Sequence, residues 1–158
     1  MKNITLLTSI LLLYVAFAAC GKSDSLKPIK DLSSFNFSAN DKAQSFPVNL
    51  AYIQDVLDVH TTLITGQNAD TSSKPGSISI RVIGDTTGHF AGDSLLVTYT
   101  DTTGAIYYNT HDNGNFVQID KFTKTATGIV SGSFSCKAAN GQDTIRLTQG
   151  VFTAYYQN

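Results

Sequence analysis

The sequence contains no tryptophan, only one methionine, three prolines and two cysteines in 158 residues. Glutamate is also absent, so all twelve acidic side chains are aspartates. Because aspartate favours turns over the interiors of strands and helices, we expect the acids in loops. The eleven lysines and arginines form no basic run, which predicts that nucleic acid is not a partner.

The N-terminus has one basic residue, Lys2, and then an uncharged, mainly apolar run from Ile4 to Ala19. As a helix this run would cover about 24 Å, short of the ~30 Å that a transmembrane helix spans. A basic start and a short apolar core are typical of a secretory signal peptide. We therefore predict a signal peptide at residues 1–19.

This segment ends in Phe17-Ala18-Ala19-Cys20, which resembles a bacterial lipobox, although leucine is usual where Phe17 stands. The resemblance implies that Cys20 is lipidated, becomes the new N-terminus and anchors the protein to a membrane, with more than one acyl chain making the anchor stable. The alternative is an ordinary cleavage that leaves Cys20 as a free or disulfide-forming thiol. Lipidation would leave Cys136 unpaired, and alternation along its strand predicts that Cys136 is buried.

The next segment, residues 20–34, is polar and has no periodic pattern, so we interpret it as the lipidated cysteine and a flexible tether. Gly21 replaces the aspartate that retains proteobacterial lipoproteins in the inner membrane, which favours the outer membrane. Lys22-Ser23-Asp24 does not decide between periplasmic and surface exposure. Ser25 lies in a pattern similar to an O-glycosylation acceptor, and we treat it as a hypothesis.

Residues 35–158 alternate with a period of two between turn residues, which predicts a single all-β domain of about ten strands. We expect an antiparallel β-sandwich, and a closed calycin-like β-barrel is the alternative that turn spacing leaves open. Asn113-Gly114 and Asn140-Gly141 each lie between alternating runs and predict hairpins. Residues 52–64 also have helical spacing, and we interpret them as a strand preceded by a helical turn.

The last part of the chain contains a specific pattern, in which residues 130–135 read VSGSFS and residues 144–152 read TIRLTQGVF. The pattern resembles a family of uncharacterised lipoproteins of Bacteroidota-type bacteria, with the match extending over roughly residues 35–156. In that family the first hairpin usually has an aromatic residue, a place that Phe46 takes here. The resemblance implies a fold and an envelope location, but no activity and no catalytic residue.

Four residues of this pattern have a structural interpretation. Gly132 inside a strand indicates a bulge or a close approach of two backbones. Gly150 is expected to turn the chain between the last two strands. Phe134 and Phe152 are expected to be core anchors.

The sequence identifies no catalytic or metal site, and we predict no cofactor. His60, His89 and His111 lie in separate segments without the spacing of a zinc set. Residues 85–88 and 101–104 both read DTTG, which suggests paired Ca²⁺ loops but matches ordinary β-turns better. The twelve aspartates leave open a hydrolase that uses an unmarked pair of carboxylates.

Two tyrosine pairs, Tyr107-Tyr108 and Tyr155-Tyr156, are the candidates for binding. Within a strand one member of each pair must face outward, where it can stack on a sugar ring or anchor a protein interface. We therefore expect a lipid-anchored envelope protein that is a non-catalytic binding or structural accessory, with a glycan or a protein as ligand. The alternatives are a small-ligand carrier with a barrel cavity and the Asp-pair hydrolase.

Overall fold

The structure is a computed structural model that describes residues 33–56, 59–68 and 75–157. The predicted signal peptide, Cys20 and Ser25 lie outside these ranges. The described residues form eleven strands and a single turn of 3₁₀ helix at Gly92–Ser94, which confirms the all-β prediction. The strands are β1 Ser34–Ala39, β2 Lys42–Phe46, β3 Val48–Val56, β4 Val59–Gln67, β5 Ser77–Ile83, β6 Gly88–Ala91, β7 Leu95–Thr100, β8 Ile106–Asn109, β9 Phe116–Phe122, β10 Ile129–Ala139 and β11 Thr144–Gln157.

The eleven strands form one sheet in the order β2-β1-β11-β3-β4-β5-β7-β8-β10-β9-β6, in which β10 also pairs with β11. Because side chains of β1 and β7 meet across the core, we divide this sheet into two layers. The first layer has the order β6-β9-β10-β11-β1-β2, and the second has the order β3-β4-β5-β7-β8. The layers are joined at two corners, where β11 pairs with β3 over three residues and β10 pairs with β8 over two. Because the layers pack face to face around a filled core, the fold is sandwich-like.

One pairing departs from the antiparallel prediction, since β3 lies parallel to β11. The local reason is Pro47, which separates β2 from β3 and has no N–H to donate to a ladder. The chain then continues in the direction of β2 without reversing. Since both β2 and β11 run antiparallel to β1, β3 meets β11 as a parallel neighbour.

Aromatic rings from both layers fill the interior. Phe35 of β1 packs against Phe134 at 5.4 Å and against Phe152 at 5.6 Å between ring centroids. Phe37 contacts Tyr99 of the second layer at 5.7 Å and Phe46 at 5.3 Å. Four of these rings, Phe35, Phe46, Phe134 and Phe152, are at most 2% exposed, which confirms that Phe134 and Phe152 are core anchors.

Two glycines of the C-terminal pattern have different roles. Gly132 lies where the β9–β10 register shifts, and a Cβ there would overlap the backbone oxygen of Gln118, as expected for a close approach. The turn predicted at Gly150 is wrong, because β11 is a single strand of fourteen residues. The strand is bent by a bulge at Gln149, whose φ is 53°, and Gly150 leaves room for the ring of Phe134.

The two hairpin predictions had different outcomes. Asn140-Gly141 joins β10 to β11 and is confirmed, with Ala139 opposite Thr144 and φ of 88° at Gly141. The hairpin at Asn113-Gly114 is wrong, because β8 and β9 do not pair with each other. Both run antiparallel to β10 and lie end to end along it, so the turn bends the chain without reversing it.

The remaining local predictions concern residues 52–64 and Cys136. The helical turn is wrong, since β3 extends to Val56 and pairs with β4, while the strand predicted after it is confirmed. Cys136 is buried in the core as predicted, at 3% exposure. β1 begins at Ser34, one residue inside the predicted tether.

Candidate binding surface

The structure decides which tyrosine of each pair faces outward. Tyr107 and Tyr156 belong to the buried core, and burial raises the pKa of the Tyr107 hydroxyl. Tyr108 is 52% exposed on β8, and Tyr155 is half-buried on the outer face of β11. Tyr107 and Tyr156 are therefore not available to a ligand at the surface, and Tyr108 is the member of its pair that is exposed.

The outer face of the second layer contains most of the exposed apolar side chains. Among the described residues six large apolar side chains are exposed, and five of them lie on this face. They are Val59 at 44%, Ile83 at 50%, Leu96 at 40%, Ile106 at 45% and Tyr108 at 52%, while Val151 at 50% lies on the first layer. This one-sided distribution makes the outer face of the second layer the candidate surface for binding.

Four of these side chains form a continuous line, which we call the apolar stripe: Ile83, Leu96, Tyr108 and Ile106. Leu96 lies opposite Arg81, and Arg81 is two residues before Ile83 on β5. Tyr108 lies opposite Thr98, and Thr98 is two residues after Leu96 on β7. Ile83–Leu96 and Leu96–Tyr108 are thus diagonal cross-strand neighbours about 7–8 Å apart. Ile106 follows Tyr108 on the same face of β8.

Hydroxyl side chains border the apolar stripe. Ser77 lies opposite Thr100, and Ser79 lies opposite Thr98, all on the outer face of β5 and β7. Arg81 is the only charged side chain on the described outer face of β5, β7 and β8. The surface thus has an apolar centre that is bordered by hydroxyl side chains and by the charged Arg81.

Beside Leu96, the second of its four members, the apolar stripe adjoins a cleft of about 560 Å³, which we call the distal cleft. Its walls are the 3₁₀ turn before β7 and the segment that links β8 to β9. Residues lining it include Asp93, Leu96, Thr110, His111, Asp112 and Asn113. The volume lies within the range of sites that bind small molecules or individual side chains.

Two asparagines hold the β8–β9 segment in place. The buried Asn115 side chain accepts a hydrogen bond from the Lys137 N–H at 2.7 Å and donates to the Thr110 carbonyl at 2.6 Å. Asn109 accepts from the Val97 N–H at 2.9 Å and donates to the Leu95 carbonyl at 3.3 Å. The cleft wall is therefore fixed by both β7 and β10.

These two asparagines were missed at the sequence level, where the same segment was interpreted as a hairpin turn. The partners that lie on β7 and β10 are separated from the two asparagines by 12 to 22 residues in sequence. The nearest signal was the density of asparagine and aspartate between residues 109 and 115.

The distal cleft is acidic. Asp93 and Asp112 both line it, and no lysine or arginine is among the described residues that do so. Asp112 accepts a hydrogen bond from the Gly114 N–H at 2.9 Å, and its other oxygen lies 3.8 Å from the Lys137 ammonium. A cationic group entering the cleft would meet carboxylates from both walls.

The three histidines are dispersed. His60 contacts Asp55 in the β3–β4 hairpin, His89 stacks on Phe116, and His111 lines the distal cleft. No group of three or more His, Cys, Asp or Glu side chains that could hold a metal ion occurs within residues 33–56, 59–68 and 75–157.

The two DTTG segments differ in structure. Residues 101–104 form the predicted turn, with the Gly104 N–H donating to the Asp101 carbonyl at 3.0 Å. Burial raises the pKa of the Asp101 carboxyl, but hydrogen bonds from Thr103, Ala105 and Gly104 outweigh it and hold that pKa below its usual value. Asp85 instead pairs with Lys124 at 2.5 Å, and this bond lowers the Asp85 pKa.

The distal cleft and the start of β1 lie at opposite ends of the second layer. Ser33 hydrogen-bonds to the Pro47 carbonyl at 3.3 Å, beside the end where β3 and β8 begin and β7 finishes. The cleft lies at the other end, where β7 begins. The six residues of β7 separate the two ends by about 20 Å.

Across the described ranges, no helix is long and apolar enough to cross a membrane. No protein-family model, curated protein or solved structure matches this chain.

Proposed function

We propose that this chain is a lipid-anchored protein of the cell envelope, attached through Cys20 to the outer membrane, and that its β domain is a non-catalytic binding module. The ligand binds to the apolar stripe and the distal cleft. The observation on which the binding part rests is the concentration of exposed apolar side chains on one face of one layer.

The anchoring part rests on the sequence Phe17-Ala18-Ala19-Cys20 and on the apolar run before it. The position of the anchor relative to the distal cleft favours binding at a distance from the membrane. A tether that enters the domain at Ser33 leaves the distal cleft at the far end of the second layer. A module anchored in this way presents its cleft away from the bilayer, and whichever side of the membrane it occupies, the cleft is accessible.

The alternatives have less support. A small-ligand carrier needs an apolar lumen, whereas rings such as Phe35, Phe46 and Phe134 occupy the space between the layers. A hydrolase acting through paired carboxylates needs one acid with a raised pKa. The two aspartates of the DTTG segments, Asp85 and Asp101, have lowered pKa values because they bond to neighbouring groups that hold the loops.

The test uses the full chain in the bacterial cell. A photo-crosslinking amino acid replaces Tyr108 in one variant and Val151 in a second, since the two positions are equally exposed on different layers. We expect crosslinked adducts from position 108 and not from position 151. Equal yields at the two positions, or none at either, would refute the binding part.

The anchor is tested separately with Cys20→Ala. We expect this variant to lose incorporation of a labelled fatty acid and to leave the outer-membrane fraction, while Cys136→Ala keeps both properties. Retention of the label in the Cys20→Ala chain would refute the anchor without affecting the binding result.

A further inference from the structure

The sequence contains two Asn-Gly pairs, Asn113-Gly114 and Asn140-Gly141. Asparagine before glycine is prone to lose its side-chain amide, because the glycine nitrogen can attack the asparagine Cγ and glycine has no Cβ to crowd the ring that forms. The reaction needs an asparagine side chain that is free to turn and a glycine N–H that can be given up. The fold restrains the two pairs in different ways.

Asn140 is restrained through its side chain. Its Oδ1 accepts hydrogen bonds from the Gln142 N–H at 2.9 Å and from the Asp143 N–H at 2.7 Å. The Asn140 N–H also donates to the Asp143 carbonyl at 3.1 Å, within the turn that joins β10 to β11. A side chain held by two donors cannot turn without losing both bonds, which opposes the reaction at this pair.

The other pair is restrained through the glycine N–H instead. Asn113 and Gly114 are both exposed between β8 and β9, and the Asn113 side chain has no hydrogen bond to any other described residue. The Gly114 N–H donates to Asp112 Oδ1 at 2.9 Å. This one bond, to a side chain that is itself 44% exposed, is the restraint that the fold places on the pair.

The direction of that bond decides its effect. Because an amide nitrogen is planar, the Gly114 nitrogen in the cyclic product is bonded to Cγ of Asn113 in the direction that its hydrogen occupied before. While that hydrogen points at the Asp112 carboxylate, Cγ cannot take its place. The second Asp112 oxygen lies 3.8 Å from the Lys137 ammonium, which helps to hold the carboxylate in position.

We propose that Asn113 is a site of spontaneous deamidation and that the Asp112 carboxylate controls its rate. When the Gly114 N–H leaves Asp112, the nitrogen forms a bond to Cγ of Asn113, the bond from Cγ to the amide nitrogen breaks, and ammonia departs with the hydrogen of the N–H. Water then opens the cyclic imide at either carbonyl, which leaves an aspartate or an isoaspartate at position 113. This inference is independent of the proposed binding function.

The product changes the distal cleft. Asn113 lines this cleft together with Asp93 and Asp112, so deamidation replaces a neutral amide with a further carboxylate. Isoaspartate also lengthens the main chain by one carbon before Gly114. Deamidation therefore makes an acidic cleft more acidic and alters the wall that the β8–β9 segment forms.

The test incubates the detergent-solubilised full chain at mildly alkaline pH in water enriched in oxygen-18, which is incorporated only where an imide is opened during the incubation. Tryptic peptides 82–121 and 138–146 each contain one of the two pairs, and fragment masses assign the label within each peptide. We expect Asn113 to react at least about fivefold faster than Asn140, since one bond rather than two must break.

Variants then assign the control to Asp112. Asp112→Ala removes the acceptor and should raise the rate at Asn113 by about tenfold or more, while the rate at Asn140 stays unchanged. Asp112→Asn keeps a side-chain oxygen that can accept the Gly114 N–H, so its rate should lie between those of the parent chain and Asp112→Ala. In urea the two pairs of the parent chain should react at similar rates, because the restraints of the fold are gone.

Four results would overturn the inference. Asp112→Ala could leave the rate at Asn113 unchanged, or it could raise the rate at Asn140 equally, which would indicate a general loosening of the fold. The folded parent chain could react faster at Asn140 than at Asn113. Asp112→Asn could react as fast as Asp112→Ala, which would show that the acceptor oxygen is not what protects the pair.

Discussion

Gly132→Ala tests the close approach of β9 and β10. A methyl group at this position would overlap the Gln118 backbone oxygen and lie 3.0 Å from both the Gln118 carbonyl carbon and the Phe152 ring. The first obstacle is backbone, which cannot rotate away, so β9 must move. The position also lies at the register shift between the two strands, where the ladder is already interrupted.

The expected cost combines three effects. Overpacking a well-packed site costs about 1–3 kcal/mol. Loss of one backbone hydrogen bond between the strands adds about 1 kcal/mol. Alanine lowers the conformational entropy of the unfolded chain, and this effect offsets about 0.5 kcal/mol of the loss in stability. We therefore expect the free energy of unfolding to fall by about 1.5–3.5 kcal/mol, or the melting temperature by roughly 10 °C.

Urea unfolding followed by circular dichroism measures this change in the full Cys20→Ala chain, which lacks the predicted lipidation site. Gly114→Ala is the matched control, because its nearest neighbour, an Asp112 side-chain oxygen, lies 3.4 Å from the added carbon. We expect the control to stay within about 0.5 kcal/mol of the parent. A Gly132→Ala protein as stable as the Gly114→Ala protein would show that the two strands are not in contact as described.

Three further predictions follow from individual side chains. Asn49 is 3% exposed, and neither polar atom of its side chain has a hydrogen-bond partner among the described residues. Asn49→Leu should therefore raise the free energy of unfolding, measured by urea titration, by about 1–2 kcal/mol. A loss of stability in this variant would contradict the prediction. Burial raises the pKa of the Cys136 thiol to about 12, so little of it is the reactive thiolate near pH 8. A disulfide reagent at this pH should therefore label Cys136 at least about a hundredfold more slowly in the folded Cys20→Ala chain than in the same chain unfolded in urea. The Lys124 ammonium lowers the Asp85 pKa, so the pair stabilises the fold above the carboxyl's usual pKa and less as the pH falls through the lowered one. Because both side chains are partly exposed, Lys124→Met should lower the free energy of unfolding by only up to about 1 kcal/mol near pH 7. Near pH 2, where the carboxyl is protonated, it should have no effect. A loss of stability that is the same at both pH values would refute the pairing.

Local patterns predicted much of the fold because they act over a few residues. Alternation identified the strands, since a half-buried strand needs an apolar residue at every second position. The Asn140-Gly141 turn was predictable for the same reason, as Gly141 supplies the positive φ that this hairpin requires. The burial of Cys136, Phe134 and Phe152 followed from their phase along the strands.

The failures occurred where partners distant in sequence decided the outcome. Asn113-Gly114 has the residues of a hairpin turn, yet β10 pairs with both flanking strands and holds them end to end. Gly150 was expected to turn the chain between the last two strands. Its actual role is to admit the ring of Phe134, which lies opposite it on the neighbouring strand β10, and no local pattern encodes that pairing.

By itself, the sequence determined the all-β class, the placement of most strands and turns, and the residues at the N-terminus from which a lipid anchor is predicted. Alternation defines two faces for every strand but does not say which neighbours will cover them. The tertiary structure decided that Tyr107 is buried and Tyr108 exposed, and that Ile83, Leu96 and Ile106 join Tyr108 on one outer face. The physical reason is that exposure depends on which strands pack against a face, and register alone brings side chains from three separate strands into one surface.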